Sequence, residues 1–181
     1  MIIRPANPAD VLPMAEVNVL TRRTCYPGIF PGELLASASP ERIAVRWMKN
    51  LFTEPNPPGS FGLVAENKGE VVGFIMAGPA REVVISAGGE MYTLYVLPDY
   101  HNQGIGRSLM HHAADRLLQA GYSAFFLWVL TANLPSRTFY EKLGGCVVSQ
   151  RFEEVKGYLL DETAYIWSDI PAFIQRTKPS R

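Results

Sequence analysis

The sequence has few cysteines, no excess of either charge and no long apolar run. Cys25 and Cys146 lie far apart without metal-site spacing, which predicts a loop thiol and a buried strand thiol rather than a disulfide or ligand pair. The 17 basic residues balance 17 acidic ones, which argues against nucleic acid as a partner. No apolar run approaches membrane-spanning length, and the first residues do not resemble a signal peptide. We therefore expect a cytoplasmic protein without a membrane partner or a metal.

The length and composition suit one soluble globular domain, with 181 residues and 48% hydrophobic content. We expect this domain at 1–170 and a loose polar tail at 171–181. The pattern of elements is mixed α/β (α+β), and no internal repeat is present. In order, it predicts a strand at 2–3, helices at 10–23 (capped by Asp10) and 40–52, strands at 61–66, 70–77 and 91–97, a helix between Gly106 and Gly121, a strand at 124–130, a helix at 133–143 (capped by Asn133), and strands at 146–152 and 162–167.

The stretch 91–118 joins a strand, a glycine turn and a helix. Residues 91–97 are rich in aromatic, β-branched and aliphatic side chains, and Pro98 ends the strand because it has no N–H for a ladder. Gly104 and Gly106 follow, and then an apolar stripe of helical period. Glycines let the backbone approach a ligand closely, and the first N–H groups of the helix face that ligand. The stretch therefore predicts an anion site for a phosphate or pyrophosphate.

Three readings of this turn compete on the residues alone. A P-loop requires a lysine after its second glycine, and the sequence has none between Lys68 and Lys142. A dinucleotide fingerprint requires a small residue where this chain has Leu109. Gly-Ile-Gly by itself fits a structural turn equally well.

Residues 96–106 resemble the acetyl-CoA-binding signature of the GNAT acyltransferase superfamily. They read Val-Leu-Pro-Asp-Tyr-His-Asn-Gln-Gly-Ile-Gly, and the family pattern is Gln/Arg-x-x-Gly-x-Gly/Ala after a strand ending in valine. His101 departs from the pattern, because it stands where the family usually has Gln or Arg. Residues 133–144 are similar to a second family motif, Asn-x-x-Ala/Ser-x-x-Phe-Tyr-Glu-Lys-Leu-Gly. The resemblance extends from residue 2 to residue 167, and it implies a mixed sheet of six to seven strands flanked by about four helices.

This resemblance implies an N-acetyltransferase that moves an acetyl group from acetyl-CoA to a primary amine. In the family, the strand before the turn diverges from the next strand, and the pantetheine arm of the acyl donor lies in the gap. The residues that the resemblance assigns to acetyl-CoA are Leu94, Tyr95, Val96, Asn102, Gln103, Gly104, Ile105, Gly106, Arg107, Ser108 and Asn133. Helix capping alone would also explain Asn133.

Two side chains are candidates for proton transfer. Tyr140 matches the family's general acid, although a core tyrosine would look the same in the sequence. Glu90 is the candidate base, because strand alternation without a bulge puts it on one face with Tyr92, Leu94 and Val96. It could equally be a solvated carboxylate or a ligand for the substrate ammonium. We interpret His111 and His112 as solvated helix residues.

The acceptor is less well defined by the sequence. Residues 24–39 form a predicted loop with exposed aromatics, which acts as a lid or as a connection. The aromatic candidates for the pocket are Tyr26, Tyr92 and Trp128, and each also suits a core. A neutral chain with aromatic loops favours a small amine or an amino-acid-like acceptor, used by a monomer or a homodimer. The alternatives are a transferase acting on a protein amine and a non-catalytic acetyl-CoA sensor or partner module.

Overall fold

The computed structural model describes residues 1–82 and 87–178. Within them the chain forms one seven-stranded sheet and six α-helices. The strands are β1 (Ile2–Pro5), β2 (Phe61–Asn67), β3 (Glu70–Pro79), β4 (Gly89–Val96), β5 (Phe125–Leu130), β6 (Cys146–Val155) and β7 (Tyr158–Trp167). The helices are α1 (Val11–Cys25), α2 (Gly32–Ala36), α3 (Pro40–Met48), α4 (Ile105–Gln119), α5 (Leu134–Lys142) and α6 (Ile170–Thr177). A π-helical turn, Lys49–Thr53, continues α3.

The sheet has the strand order β1-β2-β3-β4-β5-β7-β6, which confirms the predicted mixed α/β class. β4 and β5 run parallel, and the other neighbouring strands are antiparallel. In the described part of the sheet, β4 and β5 pair at two positions, Gly89 with Phe125 and Glu90 with Phe126. Beyond these pairs the two strands diverge. We call the space between them the β4–β5 gap.

Helices cover both faces of the sheet. The α4 face carries the larger core, in which α4, α5 and α6 pack over the sheet. The α1 face carries a second core, formed by α1, α3 and the strands beneath them. Most of the apolar stripe predicted for α4 is confirmed, since five of its members are fully buried: Leu109, Met110, Ala113, Ala114 and Leu117. Leu118, which the sequence also places in the stripe, is exposed. The central strands are thus buried on both sides, and the β4–β5 gap passes between the two cores.

The start of α1 differs from the prediction. Asp10 precedes the helix but caps none of its amides through its side chain. Its carboxylate instead accepts hydrogen bonds from the Arg4 guanidinium at 2.6 and 2.8 Å and from the Asn7 N–H at 2.8 Å. These bonds lower the pKa of Asp10. The charged partner on β1 therefore outcompetes the local helix amides.

Residues 171–177 are not the loose polar tail that the sequence predicts. They belong to α6, whose first amides are capped by Asp169 through a 2.8 Å bond to the Ala172 N–H. Phe173 is fully buried, with its ring 5.2 Å from the Phe125 ring and 5.9 Å from the Trp167 ring, between centroids. The helix has only eight residues, so its buried positions, Ile170, Phe173 and Thr177, are too few to give a clear period in the sequence.

The last two strands are longer than predicted. β6 and β7 form a hairpin whose turn at Lys156 and Gly157 uses positive φ angles of 51° and 83°. β6 is the edge strand and is mostly exposed, so charged residues hide the alternation that would mark a strand. Cys146 lies at its exposed start, which makes the prediction of a buried thiol wrong.

We predict that Phe173→Ala lowers the free energy of unfolding by about 3–5 kcal/mol, because it leaves a cavity against two aromatic rings. Denaturant unfolding measures this loss. Gln175→Ala, an exposed position on the same helix, is the matched control. Equal stability of the two variants would contradict the docked position of α6.

Candidate active site

The glycine turn leaves the start of α4 open to a ligand. Asn102 and Gly104 have positive φ angles of 59° and 78°, and Gly104 stands at the N-cap position without a side-chain cap. A Cβ added at Gly104 would meet no heavy atom of the described residues within 4 Å. The first amides of α4 therefore point into free space with no acidic side chain in the first turn. This is the environment that a pyrophosphate group requires.

The other turn residues frame this space. A cavity of about 410 Å³ beside the turn is lined by Gly104, Ile105, Ser108 and others. Gly106 packs closely on α5, because an added Cβ would lie 3.2 Å from the Phe139 ring. Two side chains assigned to acetyl-CoA form hydrogen bonds within the chain. The Gln103 amide donates to the Asp99 carbonyl, and the Arg107 guanidinium donates to the carbonyls of Arg176 and Lys178. Arg107 thus also fixes the end of α6.

The three β4 residues assigned to acetyl-CoA line the β4–β5 gap. Leu94 and Val96 pack on the α4 face and Tyr95 packs on the α1 face. Their backbones bond β3 on one side and have no paired strand on the other within the described sheet. The free edge of β4 can therefore hydrogen-bond an amide-containing arm as a strand would.

Asn133 and Tyr140 approach from α5. The Asn133 side chain accepts a 3.2 Å bond from the Ser136 N–H, which confirms the helix cap. Tyr140 is buried, and its hydroxyl has no hydrogen-bond partner among residues 1–82 and 87–178. Burial raises the pKa of Tyr140, and the nearby Tyr95 phenol acts in the same direction. Tyr140 therefore stays protonated at neutral pH and has a free donor.

The 24–39 segment covers the gap on the α1 face. Contrary to the prediction, it contains a helix, α2, and its aromatic side chains are partly buried. The Tyr26 ring lies 6.3 Å from the Tyr95 ring and 6.4 Å from the Phe30 ring, between centroids. Burial raises the pKa of Tyr26, with smaller contributions from Tyr95 and Tyr140. The three tyrosines thus lie around one end of the β4–β5 gap.

Glu90 is where the predicted alternation fails. A β-bulge at Tyr92 shifts the register, because Met76 pairs with Thr93 while Ala77 pairs with Met91. Glu90 and Tyr92 therefore lie on the α1 side of the sheet, whereas Leu94 and Val96 lie on the α4 face. Glu90 is 1% exposed, so it is not a solvated carboxylate. The Arg81 guanidinium forms an ion pair with it, and the Arg81 N–H donates to it at 2.9 Å.

The other two aromatic candidates, Tyr92 and Trp128, contact polar or charged groups. The Tyr92 hydroxyl donates to the Pro79 carbonyl at 2.6 Å, and burial raises its pKa to about 12. The Arg81 guanidinium lies 4.7 Å from the centre of the Tyr92 ring. The Arg151 guanidinium lies 4.1 Å from the Trp128 ring. Both rings are therefore flanked by a cation that could contact a substrate.

Sequence reasoning misses a cluster of charges around these rings, which we call the gap-mouth cluster. Arg151 forms ion pairs with Glu82, Glu153 and Glu162, and Arg81 pairs with Glu90. Burial raises the pKa of Glu162, while Arg151 opposes this shift. Apart from Arg151 and Glu153, which both lie on β6, the pairs join residues on different strands and loops, so no local sequence pattern predicts them.

A family model described as the acetyltransferase (GNAT) family matches residues 25–145. The match covers both motifs, the β4–β5 gap and the open glycine turn. The chain belongs to this family. The predicted family, enzyme class and acyl donor are thereby confirmed: the protein is an acetyltransferase that uses acetyl-CoA.

Relatives of the GNAT chain extend the likeness over at least 90% of its length. It is 33% identical to the uncharacterized N-acetyltransferase YuaI of Bacillus subtilis (strain 168), over 94% of each chain. The fold resembles a ribosomal-protein-alanine N-acetyltransferase from Brucella melitensis, with a TM-score of 0.71, 21% identity and coverage of 93% and 99% of the two chains. It also resembles the PaiA N-acetyltransferase from Thermoplasma acidophilum in complex with coenzyme A, with a TM-score of 0.65, 22% identity and coverage of 90% and 96%.

Two absences hold for the part of the chain that the structure describes. No helix there has the length and hydropathy to cross a bilayer. No group of three or more His, Cys, Asp or Glu residues in the same ranges is arranged to hold a metal ion.

Proposed function

We propose that this GNAT enzyme acetylates the primary amine of a small-molecule or amino-acid-like acceptor by direct transfer from acetyl-CoA. The observation that carries the proposal is the β4–β5 gap, which has an open anion site at one end and the free Tyr140 hydroxyl beside it. Acetyl-CoA supplies an activated thioester when it is bound. The residues of the chain then bind its two ends, donate a proton to the leaving thiol and remove one from the acceptor amine.

The backbone supplies the binding groups in this proposal. The amides of residues 102–108 bind the pyrophosphate, and the free edge of Leu94, Tyr95 and Val96 bonds the pantetheine arm. The Val96 N–H faces the thioester oxygen and stabilises the charge that develops there. The Tyr140 hydroxyl donates to the sulfur as the thiol leaves.

Removing a proton from the acceptor amine falls to Glu90. An alkyl amine with a pKa of ~10 is about 0.1–1% neutral near pH 7–8, so a route for its proton is needed. The Glu90 carboxylate is held by Arg81, whose side chain is half exposed and can swing toward solvent. We propose that an arriving ammonium replaces Arg81 as the partner of Glu90. The carboxylate then binds the ammonium and takes its proton.

The acceptor side favours a small amine because the cavity at this end of the sheet is small. A cavity of about 270 Å³ at the end of β5 is lined by Ile29, Leu160, Asp161 and others. The Tyr158 hydroxyl donates to Glu33 at 2.7 Å, so the β6–β7 hairpin meets α2 across the entrance. A protein amine is the second candidate, since the Brucella melitensis neighbour is named for acting on a ribosomal-protein alanine.

Acceptor-dependent release of the CoA thiol from acetyl-CoA tests the proposal. We expect release with at least one class of small amines, and weaker release with lysine-containing peptides. Thermal melts with acetyl-CoA show in parallel whether the acyl donor binds. Donor binding without transfer to any amine would identify a non-catalytic sensor and overturn the proposal.

A further inference from the structure

Two side-chain polar atoms have almost no solvent-accessible surface and also lack a hydrogen-bond partner within residues 1–82 and 87–178. They are the Thr93 hydroxyl oxygen and the Trp128 indole nitrogen. Leaving a buried polar group unsatisfied costs about 1–3 kcal/mol, so each such group calls for a physical explanation, and a bound ligand that completes the hydrogen bond is one. Both atoms belong to the strands that border the β4–β5 gap.

The two residues face each other across this gap. Glu90 and Phe126 form the last paired position of β4 and β5. Trp128 lies two residues beyond Phe126. Thr93 also lies two ladder positions beyond Glu90, because the bulge at Tyr92 absorbs one residue.

Both side chains also lie on the α1 side of the sheet. Thr93 pairs with Met76, which belongs to the core on the α1 face. Trp128 packs with Phe126, whose chain neighbour Phe125 belongs to the α4 face. The bulge therefore brings the two unpartnered groups level and onto the same side as Glu90.

The chemistry of the pair selects a hydrogen-bond acceptor. The indole N–H can only donate, and the threonine hydroxyl can donate to the same atom. An oxygen bound here would lie beside Glu90, where we propose that the ammonium binds. The acceptor amine would then carry a carbonyl oxygen close to its nitrogen.

The surrounding charge favours an uncharged carbonyl over a carboxylate. The gap-mouth cluster has four carboxylates, Glu82, Glu90, Glu153 and Glu162, but two guanidinium groups, Arg81 and Arg151. A ligand with a net positive charge complements this excess, whereas a free amino acid brings an additional carboxylate. A simple alkyl amine has the charge but leaves both donors unpaired.

We infer that the acceptor is an α-amino amide, whose ammonium meets Glu90 and whose carbonyl oxygen accepts from Thr93 and Trp128. An amino-acid amide and the N-terminus of a peptide share this chemistry. The inference rests on the proposed function, since it names the acceptor class of the same site.

The test compares three amines that share the carbon bearing the nitrogen: alaninamide, alanine and isopropylamine. Wild-type kcat/KM should be highest for alaninamide. Thr93→Val and Trp128→Phe each remove one donor and keep most of the shape. Each should lower kcat/KM for alaninamide about tenfold more than for isopropylamine, the effect of one hydrogen bond. Comparing each variant with wild type cancels the difference between the amines in intrinsic pKa.

Thr163→Val is the matched control, because its hydroxyl is also buried but is paired with Thr131 at 2.8 Å. It should leave the alaninamide-to-isopropylamine ratio at the wild-type value. Thermal melts without ligand check folding. Thr93→Val should melt no lower than wild type, since it removes an unpaired polar group.

An unchanged ratio in both donor variants, or a preference for alanine, would overturn the inference while transfer itself stands. Absence of transfer to any amine would overturn the proposed function, which is a separate outcome. A tripeptide amide beginning with alanine then distinguishes the two sources. A higher kcat/KM than alaninamide identifies a peptide N-terminus as the acceptor, and a lower one identifies a small amide.

Discussion

Tyr140→Phe should lower kcat about 10²–10⁴-fold, the range for a general acid–base group, with little change in acetyl-CoA affinity. The substitution removes one hydroxyl and keeps the ring, which packs against Phe139, Tyr165 and Trp167. The hydroxyl has no partner in the described part of the chain, so its removal breaks no internal hydrogen bond. The loss should therefore appear in the chemical step alone.

The proton balance of this step is consistent with a buried phenol. An ordinary phenol with a pKa of ~10 gives its proton to a thiolate with a pKa of ~8.5 at a cost of roughly 2 kcal/mol. Burial raises the pKa of Tyr140 further, but a thiolate leaving into the same gap is desolvated as well, which raises its pKa too. The two shifts act in the same direction, so the second offsets the effect of the first on the difference between the two pKa values.

Tyr165→Phe is the matched control for this prediction. Tyr165 is fully buried in the same core, but its hydroxyl donates to Glu141 at 2.6 Å and accepts from Arg137 at 3.0 Å. Its loss should affect stability more than kcat. Pre-steady-state rates with saturating acetyl-CoA measure the step. A tenfold loss for Tyr140→Phe, about 1.4 kcal/mol, would indicate that the hydroxyl only orients the thioester. Full activity would remove it from the mechanism.

Gly106→Glu should abolish acetyl-CoA binding in a folded protein. A carboxylate in the first turn of α4 interacts favourably with the helix dipole, so the charge itself does not destabilise the helix. The same carboxylate occupies the amides that the pyrophosphate needs, and it repels that group. In wild type, acetyl-CoA at 100 times its Kd should stabilise the fold by about 2.7 kcal/mol, and the variant should lose this stabilisation.

Gly106→Gln separates charge from size. Any side chain here adds a Cβ 3.2 Å from the Phe139 ring, so both variants share the same crowding. The Gln variant should bind acetyl-CoA more weakly than wild type but clearly more tightly than the Glu variant. Differential scanning fluorimetry over a range of acetyl-CoA concentrations measures all three proteins. Stabilisation of Gly106→Glu by acetyl-CoA to the same extent as wild type would contradict the assignment of the anion site to this turn.

The elements that the sequence predicts well are those whose signal is local. The buried stripe of α4, the Asn133 cap and the glycine turn each depend on residues a few positions apart. Such patterns reflect helix period, capping and positive φ, which operate within one or two turns of chain. Each of the two motifs that identify the family is a contiguous stretch, so both can be recognised in the sequence without knowing the fold.

The errors arise where a residue on another element competes with a local rule. Asp10 is a residue type that often caps helices, but its carboxylate accepts hydrogen bonds from Arg4 on β1 instead. Residues 171–177 look like a tail, but Phe173 packs against the rings of Phe125 and Trp167, which are buried in the folded protein. Arg4 and Trp167 are each six residues from their partner, but they lie on strands, so no helix or strand period links the residues of either pair.

The sequence alone indicated an acetyl-CoA-dependent GNAT enzyme, because two contiguous motifs in the right order resemble those of that family. The residues of the glycine turn by themselves indicated only an anion site, since backbone amides at a helix start bind a phosphate without a specific side chain. The arrangement of residues on the proposed acceptor side follows only from the tertiary structure. One bulge at Tyr92 turns Glu90 away from the face of Leu94 and Val96, and brings Thr93 level with Trp128. Side-chain sites depend on which strands diverge, where the register slips and which charges meet across the sheet. These are long-range pairings, and no local stretch of residues encodes them.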